Sequence, residues 1–298
     1  MFQGAITAIV TPFKKDESLD LEALKRLVEF QIENNIDGIV PCGTTGESPT
    51  LEYDEHEAVV KTVIEAANGK SKVIAGAGSN STKHAVELTK MAADLGADGT
   101  LHVSPYYNKP TQEGLFRHFS AVAKAADIPV VVYNIKGRTA VNIETPTLAR
   151  LQKEHSNIVA VKEASGDINQ MQDVLNTLPK KFDVLSGDDN MTFPLMKIGG
   201  KGVISVASNI VPDKIKQLTD YALKKKFNKT EELHNKLMPL FKGIFIETNP
   251  IPIKAALAMK GMIAESYRLP ICEMQAENKE KLRKILEDLK VLEELRVA

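Results

Sequence analysis

The sequence has few cysteines and no long apolar run, and both shortages narrow the class of protein. Its two cysteines, Cys42 and Cys272, are too few for a disulfide framework, which favours a reducing compartment. The opening stretch MFQGAITAIVTPFKK lacks the charged start and long apolar core of a signal peptide, and no segment approaches the length of a membrane span. The sequence therefore predicts a cytoplasmic protein with no membrane partner.

The sequence also has almost no net charge and lacks the common metal-binding patterns. The 38 basic and 39 acidic residues leave a formal charge of −1, which gives no electrostatic reason to expect nucleic acid as a partner. The six histidines form no H-x-x-x-H pair and no CxxC occurs, so no metal is expected. The acids of SGDD at 186–189 could hold Mg²⁺, but a turn with a helix cap is the favoured interpretation.

Eight short apolar runs rich in β-branched residues recur along the chain, separated by roughly the length of one strand-plus-helix unit. They occupy residues 5–10, 37–43, 72–79, 99–107, 128–134, 157–165, 182–189 and 202–209. Helical spacing fills most of the intervals. Asp20 is a predicted N-cap of the first helix, and the second is expected to begin at a Thr50 cap and to stop at Gly69.

Alternating strands and helices of this kind form a parallel sheet covered by helices. Eight units predict an α/β fold, a closed (β/α)8 TIM barrel with a C-terminal helical extension, and a doubly wound open sheet is the alternative. No G-x-G-x-x-G follows the first run, which weakens the dinucleotide-binding form of that alternative. The predicted organisation is a catalytic barrel over 1–224 and a C-terminal helical domain over 225–298.

Lys162 closes the sixth apolar run, where a barrel places its functional residues at the C-terminal ends of the strands. A lysine in that place is partly desolvated, and desolvation lowers the pKa of an amine. A lysine with a lowered pKa is a nucleophile toward carbonyl groups and can form a Schiff base. The alternative is a structural ion pair, with Glu163 as one possible partner.

Other reactive residue types fall at the ends of neighbouring runs. Tyr133 ends the fifth run and is either a core anchor or a proton shuttle beside the lysine. Arg138 follows it, and its planar fork suits a carboxylate, although an exposed arginine is usually only solvated. The stretch Gly43-Thr44-Thr45-Gly46-Glu47 suits a small anion, but equally a plain turn from strand to helix.

Several motifs occur together along the whole chain: GTTGES, GAGSN, PYYNKPTQEGL, VVYN, VKEASG, LSGDD, GGKGVISV and NPIPIK. In this order they resemble the pyruvate-dependent class I aldolase superfamily that includes N-acetylneuraminate lyase. Within it, Thr44-Thr45, Tyr107 and the GRT segment after Tyr133 resemble the dihydrodipicolinate synthase family. Sialic-acid lyases typically have Ser-Thr in the first loop and lack this arginine.

The resemblance implies a role for each matching residue. Lys162 would form the imine with pyruvate, and Tyr133, Thr45 and Tyr107 would relay protons, with Tyr107 contributed by the neighbouring subunit. Thr44 and Thr45 would hold the pyruvate carboxylate, which agrees with anion binding at a Gly-rich turn before a helix. The remaining substrate contacts implied are Arg138, on a second carboxylate, and main-chain groups near Gly187 and Ile204.

The implied reaction condenses pyruvate with L-aspartate 4-semialdehyde to 4-hydroxy-tetrahydrodipicolinate, the first committed step of the diaminopimelate route to lysine. It needs no metal and no organic cofactor, and the family is typically a homotetramer built as a dimer of dimers. The nearest alternative is a 2-keto-3-deoxy sugar acid aldolase on the same barrel. A phosphosugar isomerase or Mg²⁺-dependent enolising barrel and a non-catalytic barrel are the more distant ones.

The sequence departs from the family pattern in two places. Lys136 stands where members commonly have proline, which is expected to leave Arg138 less rigidly held. His84 stands where lysine-sensitive members have glutamate, so we expect weak or absent feedback by lysine; the simpler interpretation of His84 is an ordinary first-turn residue of a surface helix. The positions that match the family's allosteric lysine site are Ser48, Pro49, Tyr53, His56, Asn80, His84 and Tyr106.

Overall fold

The computed structural model describes residues 1–292, and its centre is a closed barrel of eight parallel strands joined in chain order. Each strand lies within or overlaps one of the eight predicted runs, so the TIM-barrel prediction is confirmed. The strands are β1 Gly4–Ala8, β2 Gly38–Val40, β3 Lys72–Gly76, β4 Gly99–Val103, β5 Val130–Asn134, β6 Ile158–Glu163, β7 Asp183–Ser186 and β8 Gly202–Ser205.

Helices follow the strands and cover the outside of the barrel. They are α1 Leu21–Glu33, α2 Tyr53–Ala67, α3 Thr82–Asp94, α4 Gln112–Ala123, α5 Lys136–Thr139, α6 Thr145–Glu154, α7 Ile168–Thr177, α8 Thr192–Lys197, α9 Pro212–Leu223, α10 Phe227–Gly243, α11 Ile251–Met259 and α12 Ala276–Asp288. No helix within residues 1–292 is long and apolar enough to cross a membrane.

The ends of the first two helices test the predicted caps. Asp20 accepts a hydrogen bond from the Ala23 amide, as predicted for an N-cap. The predicted Thr50 cap of α2 is wrong, because residues 48–50 form a separate 3₁₀ turn and the helix starts later. Glu52 caps α2 instead, in a capping box with Glu55 in which each side chain accepts from the other's backbone amide.

Alternation along the strands separates the inside of the barrel from the outside. On β5, Val131 and Tyr133 belong to the cluster inside the barrel, whereas Val130 and Val132 pack outward under the helices. On β6, Ala160 lies inside by the same rule, and Lys162 follows two residues later on the same face. The barrel therefore directs Tyr133 and Lys162 toward its interior at the C-terminal ends of neighbouring strands.

The C-terminal helices share a core with the barrel. Residues of α10, α11 and α12 belong to the same hydrophobic cluster as residues of β1, α1 and α2. Helix α11 is buried on almost every side, from Ile251 to Leu257. The division into a domain of 1–224 and a domain of 225–298 stays a prediction. The shared core places the segment before α11 at the C-terminal end of the barrel strands.

Candidate active site

Lys162 and Tyr133 meet inside the barrel at the C-terminal ends of β5 and β6. The two residues are direct partners in the register of these strands, and each is 5% exposed. The Lys162 Nζ lies 4.1 Å from the centre of the Tyr133 ring. The strand order therefore brings together the two residues that the sequence singled out from separate runs.

Burial alters the chemistry of both groups. Burial lowers the pKa of Lys162 to about 8, and the nearby charges of Asp188 and Asp189 limit the fall. Burial and the Asp188 charge raise the pKa of the Tyr133 phenol above its usual range. The site therefore holds an amine that is easily deprotonated next to a phenol that keeps its proton.

Glu163 does not pair with Lys162. It follows Lys162 on β6 and faces the opposite side, where its carboxylate accepts hydrogen bonds from Asn134 Nδ2 and from the Ser165 amide. Its partner in the strand register is Asn134, directly beside the Tyr133–Lys162 pair. The structural alternative for Lys162, an ion pair with its neighbour, is therefore not found.

A second buried lysine, Lys254, provides a contrast. Its side chain is 0% exposed and its ammonium is bonded to the carboxylate of Glu47, which is 1% exposed. Burial lowers the pKa of Lys254, but the adjacent Glu47 charge opposes this. Lys254 is thus engaged in an ion pair, whereas the Lys162 amine faces a tyrosine ring at the end of the barrel.

The two threonines of the GTTGE loop have different partners. Hydrogen bonding by the Thr44 side chain limits the rise in the pKa of the Tyr133 phenol. The Thr45 hydroxyl accepts a hydrogen bond of 3.1 Å from Asn249 Nδ2. Thr44 is thus the threonine that acts on Tyr133, and the relay of Tyr133, Thr45 and Tyr107 stays a prediction.

Arg138 lies in the short helix α5 and is exposed, and its charge acts on both Lys162 and Tyr133. Its Nη2 donates a 2.9 Å hydrogen bond to the carbonyl oxygen of Asn249. Lys136 occupies the first position of α5, where a backbone N–H is not needed and proline or lysine fits equally. The contact with Asn249 thus gives Arg138 an anchor that does not depend on a proline.

Gly187 and Ile204 line the same end of the barrel. An added Cβ on Gly187 would lie 3.1 Å from Lys162 Cε and 2.6 Å from the Ala164 Cβ, so a side chain there would crowd the lysine. Ile204 on β8 belongs to the interior cluster that includes Tyr133. Asp189 accepts hydrogen bonds from the amides of Val206 and Ala207, which ties the end of β7 to the end of β8.

The two aspartates of the SGDD segment, Asp188 and Asp189, have different roles. Asp189 is the structural tie just described, in keeping with the favoured interpretation of a turn. Asp188 acts electrostatically on Lys162 and Tyr133, and its own pKa is raised by burial. Within the described chain, no group of three or more His, Cys, Asp or Glu residues could hold a metal ion.

Tyr107 stands apart from the other site residues. It is 89% exposed and has a φ of +70°, a left-handed conformation that is uncommon for a tyrosine. The loop after β4 therefore presents its ring to the outside of this chain. The structure does not bring Tyr107 together with Tyr133 within one chain.

A separate pocket of about 340 Å³ lies near this loop and contains most of the predicted allosteric positions. Those that line it are Ser48, Pro49, Tyr53, His56, His84 and Tyr106. Asn80 is not among the lining residues; its backbone oxygen accepts from the Asn108 side chain. Glu87, three residues after His84 on α3, also lines the pocket, and the sequence analysis did not identify it.

Sequence reasoning missed the role of Glu47 within the GTTGE loop and two residues that contact the loop. Asn249 binds Thr45, and Lys254 binds Glu47 of the same loop. The sequence analysis treated Glu47 only as part of a turn. Its φ of +53° and its burial indicate that specific contacts hold it in place. The NPIPIK motif, which begins at Asn249 and ends at Lys254, was the available signal for the other two, but its spacing alone gave no role.

The fold and these side chains define a class of enzyme barrel whose site is built at the C-terminal ends of the strands around a buried lysine. Comparison with known proteins narrows this class. The chain belongs to the dihydrodipicolinate synthetase family, whose sequence profile matches residues 1–289.

Relatives and solved structures agree over almost the whole chain. The 4-hydroxy-tetrahydrodipicolinate synthase of Hydrogenobaculum sp. (strain Y04AAS1) is 51% identical over 96% of this chain and 98% of its own. The enzyme of that name from Methanocaldococcus jannaschii is 51% identical over 97% of this chain and 99% of its own. The crystal structure of dihydrodipicolinate synthase from Aquifex aeolicus is 49% identical and covers 97% and 99% of the two chains, with a TM-score of 0.96.

Proposed function

We propose that this chain is a Schiff-base lyase that condenses pyruvate with L-aspartate 4-semialdehyde to give 4-hydroxy-tetrahydrodipicolinate. The observation that carries the proposal is the pairing of Lys162 and Tyr133, a buried amine with a pKa of about 8 beside a protonated phenol. The names of the relatives that match the full length of the chain support the choice of substrates.

Imine formation would begin at the neutral Lys162 amine. Its Nζ attacks C2 of pyruvate, the former carbonyl oxygen is protonated, and loss of one water leaves a protonated imine. Tyr133 is suited to supply and recover these protons because its raised pKa keeps the phenol protonated, and hydrogen bonding by Thr44 limits that rise. Thr44 therefore takes the relay position in this proposal.

Carbon–carbon bond formation would follow from the imine. The cationic imine is an electron sink, so a methyl proton leaves C3 and an enamine forms. The enamine carbon attacks the aldehyde, whose oxygen takes a proton to become the hydroxyl. The amine of the semialdehyde portion then attacks C2 and displaces Lys162 Nζ, which closes the ring and restores the free lysine. The single water lost in imine formation balances the overall reaction.

Two groups would recognise the two carboxylates. The Gly-rich GTTGE loop offers threonine hydroxyls and backbone N–H groups for pyruvate. Arg138, exposed at the mouth and acting electrostatically on Lys162, offers a guanidinium fork for the carboxylate of the semialdehyde.

The proposal is tested by borohydride trapping together with a panel of aldehydes. Pyruvate and borohydride should leave a reduced pyruvyl adduct on the peptide that contains Lys162. Among aldehydes, L-aspartate 4-semialdehyde should be consumed fastest with pyruvate. An adduct combined with a preference for sugar-derived aldehydes would instead favour a 2-keto-3-deoxy sugar acid aldolase, and an unmodified Lys162 would contradict Schiff-base chemistry.

The rate of trapping should depend on pH in a way set by Lys162. Because its pKa is about 8, the neutral amine and the initial trapping rate should rise about tenfold per pH unit up to that value and then level off. An unperturbed lysine, with a pKa of about 10.4, would give a rate still rising at pH 10. Initial rates with cyanoborohydride at constant ionic strength, measured from pH 6 to 10, distinguish the two curves.

Regulation by lysine is expected to be weak or absent. His84 brings no negative charge to the pocket beside α3, and the Glu87 carboxylate there lies 3.8 Å from the Lys83 ammonium. A His84→Glu variant should gain sensitivity to L-lysine, since it adds a charge that attracts an ammonium group. Steady-state inhibition of both proteins tests this, and a submicromolar inhibition constant for the unaltered enzyme would contradict it.

We also propose a homotetramer formed from two tight dimers, acting in the cytoplasm. The 89% exposure of Tyr107 supports an assembly in which this ring enters the site of a neighbouring chain. The two free cysteines, Cys42 and Cys272, suit a reducing compartment. Light scattering after size-exclusion chromatography measures the mass of the assembly directly.

A further inference from the structure

Asn249 contacts both elements to which carboxylate recognition is assigned. Its side-chain Nδ2 donates to the Thr45 hydroxyl at 3.1 Å, and its backbone oxygen accepts from Arg138 Nη2 at 2.9 Å. The residue is 5% exposed and lies just before α11, in the segment that the C-terminal helices carry to the mouth of the barrel. One buried residue thus joins the GTTGE loop to the arginine.

The direction of the hydrogen bond to Thr45 decides what that hydroxyl can do. A threonine hydroxyl has one proton to donate and two lone pairs that accept. Because Asn249 Nδ2 donates to Thr45 Oγ1, this contact occupies a lone pair and leaves the hydroxyl proton for a second partner. A substrate carboxylate can only accept hydrogen bonds, so Asn249 leaves Thr45 in the state that such a group requires.

Packing alone does not account for an amide at this position. The Asn249 Oδ1 is buried and has no hydrogen-bond partner among residues 1–292. A buried oxygen without a partner destabilises the fold, and an apolar side chain would avoid that cost. The amide therefore has to be explained by what its Nδ2 does for Thr45.

We propose that Asn249 is a positioning residue that keeps the Thr45 hydroxyl as a donor to the pyruvate carboxylate and anchors Arg138 through its backbone oxygen. The inference rests on the proposed function and adds to it the residue that sets the direction of hydrogen bonding. Because the anchor to Arg138 is a backbone atom, substitutions of the Asn249 side chain act first on pyruvate and much less on the semialdehyde.

Two substitutions separate orientation from packing. Asn249→Ala removes the donor and should raise the KM for pyruvate about tenfold. Asn249→Asp keeps the volume but accepts the Thr45 proton and adds a negative charge, so it should raise that KM about a hundredfold. In both variants kcat at saturating pyruvate should stay within about threefold, since Lys162 and Tyr133 are untouched.

Asn176→Asp, on the exposed face of α7, introduces the same charge away from the site and serves as the matched control. In a Thr45→Val background, Asn249→Ala should change the KM for pyruvate by less than about twofold, because the hydroxyl it orients is gone. Circular dichroism and thermal melting of every variant establish that each is folded.

The outcomes separate the inference from the function on which it rests. A KM that rises from wild type to Ala to Asp supports the orientation role. An Asp variant equal to or better than the Ala variant overturns it and indicates packing only, and so does a fall in kcat without a change in KM. Absence of a pyruvate adduct in the wild-type enzyme instead refutes the proposed function, and the inference falls with it.

Discussion

Replacing Lys162 by alanine is expected to abolish the pyruvate adduct and to lower kcat by roughly 10³- to 10⁶-fold, the range for loss of a covalent nucleophile. The lysine is 5% exposed and its ammonium lies 4.1 Å from the centre of the Tyr133 ring, so alanine removes the amine from the centre of the proposed site. The fold should survive, because removing a desolvated amine relieves an electrostatic cost. Borohydride trapping followed by peptide mass spectrometry measures the adduct.

The controls for this variant use other lysines of the same chain. Lys153→Ala, on the exposed face of α6, should keep both the adduct and the activity. Lys254 is the more demanding comparison, since it too is buried with a lowered pKa. An adduct on Lys254 in the wild-type enzyme, or an adduct that persists in Lys162→Ala, would show that the nucleophile has been assigned to the wrong residue.

Replacing Glu47 by glutamine is expected to lower the free energy of unfolding by about 3–5 kcal/mol. The variant keeps the shape of the side chain but leaves the Lys254 ammonium, which is 0% exposed, without its counter-charge. The rings of Phe13 and Tyr267 lie 4.4 and 5.1 Å from that ammonium and compensate only in part. Urea unfolding monitored by circular dichroism measures the loss.

Lys254→Met completes a double-mutant cycle with Glu47→Gln. Each single variant strands one polar or charged partner in the core, whereas the double variant removes the charge from both positions. The loss in the free energy of unfolding should therefore be smaller in the double variant than the sum of the losses in the two single variants. Strict additivity would contradict the view that the pair acts as a unit, and losses below about 1 kcal/mol would class it with exposed surface pairs.

The sequence predicted those parts of the molecule that depend on local pattern. Runs of β-branched residues located all eight strands, and the place of Lys162 at the end of one run identified the buried amine. The Thr50 cap failed because Pro49 supports a separate turn and Glu52 competes with its own capping box. The different surroundings of Thr44 and Thr45 could not be predicted either, since the direction of a side chain in a turn depends on backbone angles that periodicity does not report.

Other contacts could not be predicted because they join distant parts of the chain. Asn249 binds Thr45 across 204 positions, and Lys254 binds Glu47 across 207. Neither contact can be inferred from the composition or from the spacing of residues in the sequence. Most of the positions predicted for an allosteric site line one pocket, and Glu87, one turn of α3 after His84, lines it too; a regulatory role for these positions stays a prediction.

The reach of the C-terminal segment to the GTTGE loop has a consequence for how the enzyme matures during synthesis. A ribosome releases β1 to β8 before it has made Asn249 and Lys254. Until those residues arrive, Glu47 has no cation and Thr45 has no amide, although every barrel strand and Lys162 are already present. The nascent chain therefore completes the contacts that hold its GTTGE loop only after all barrel strands have been made, and a chain released before Asn249 has every strand and Lys162 but lacks two partners of that loop.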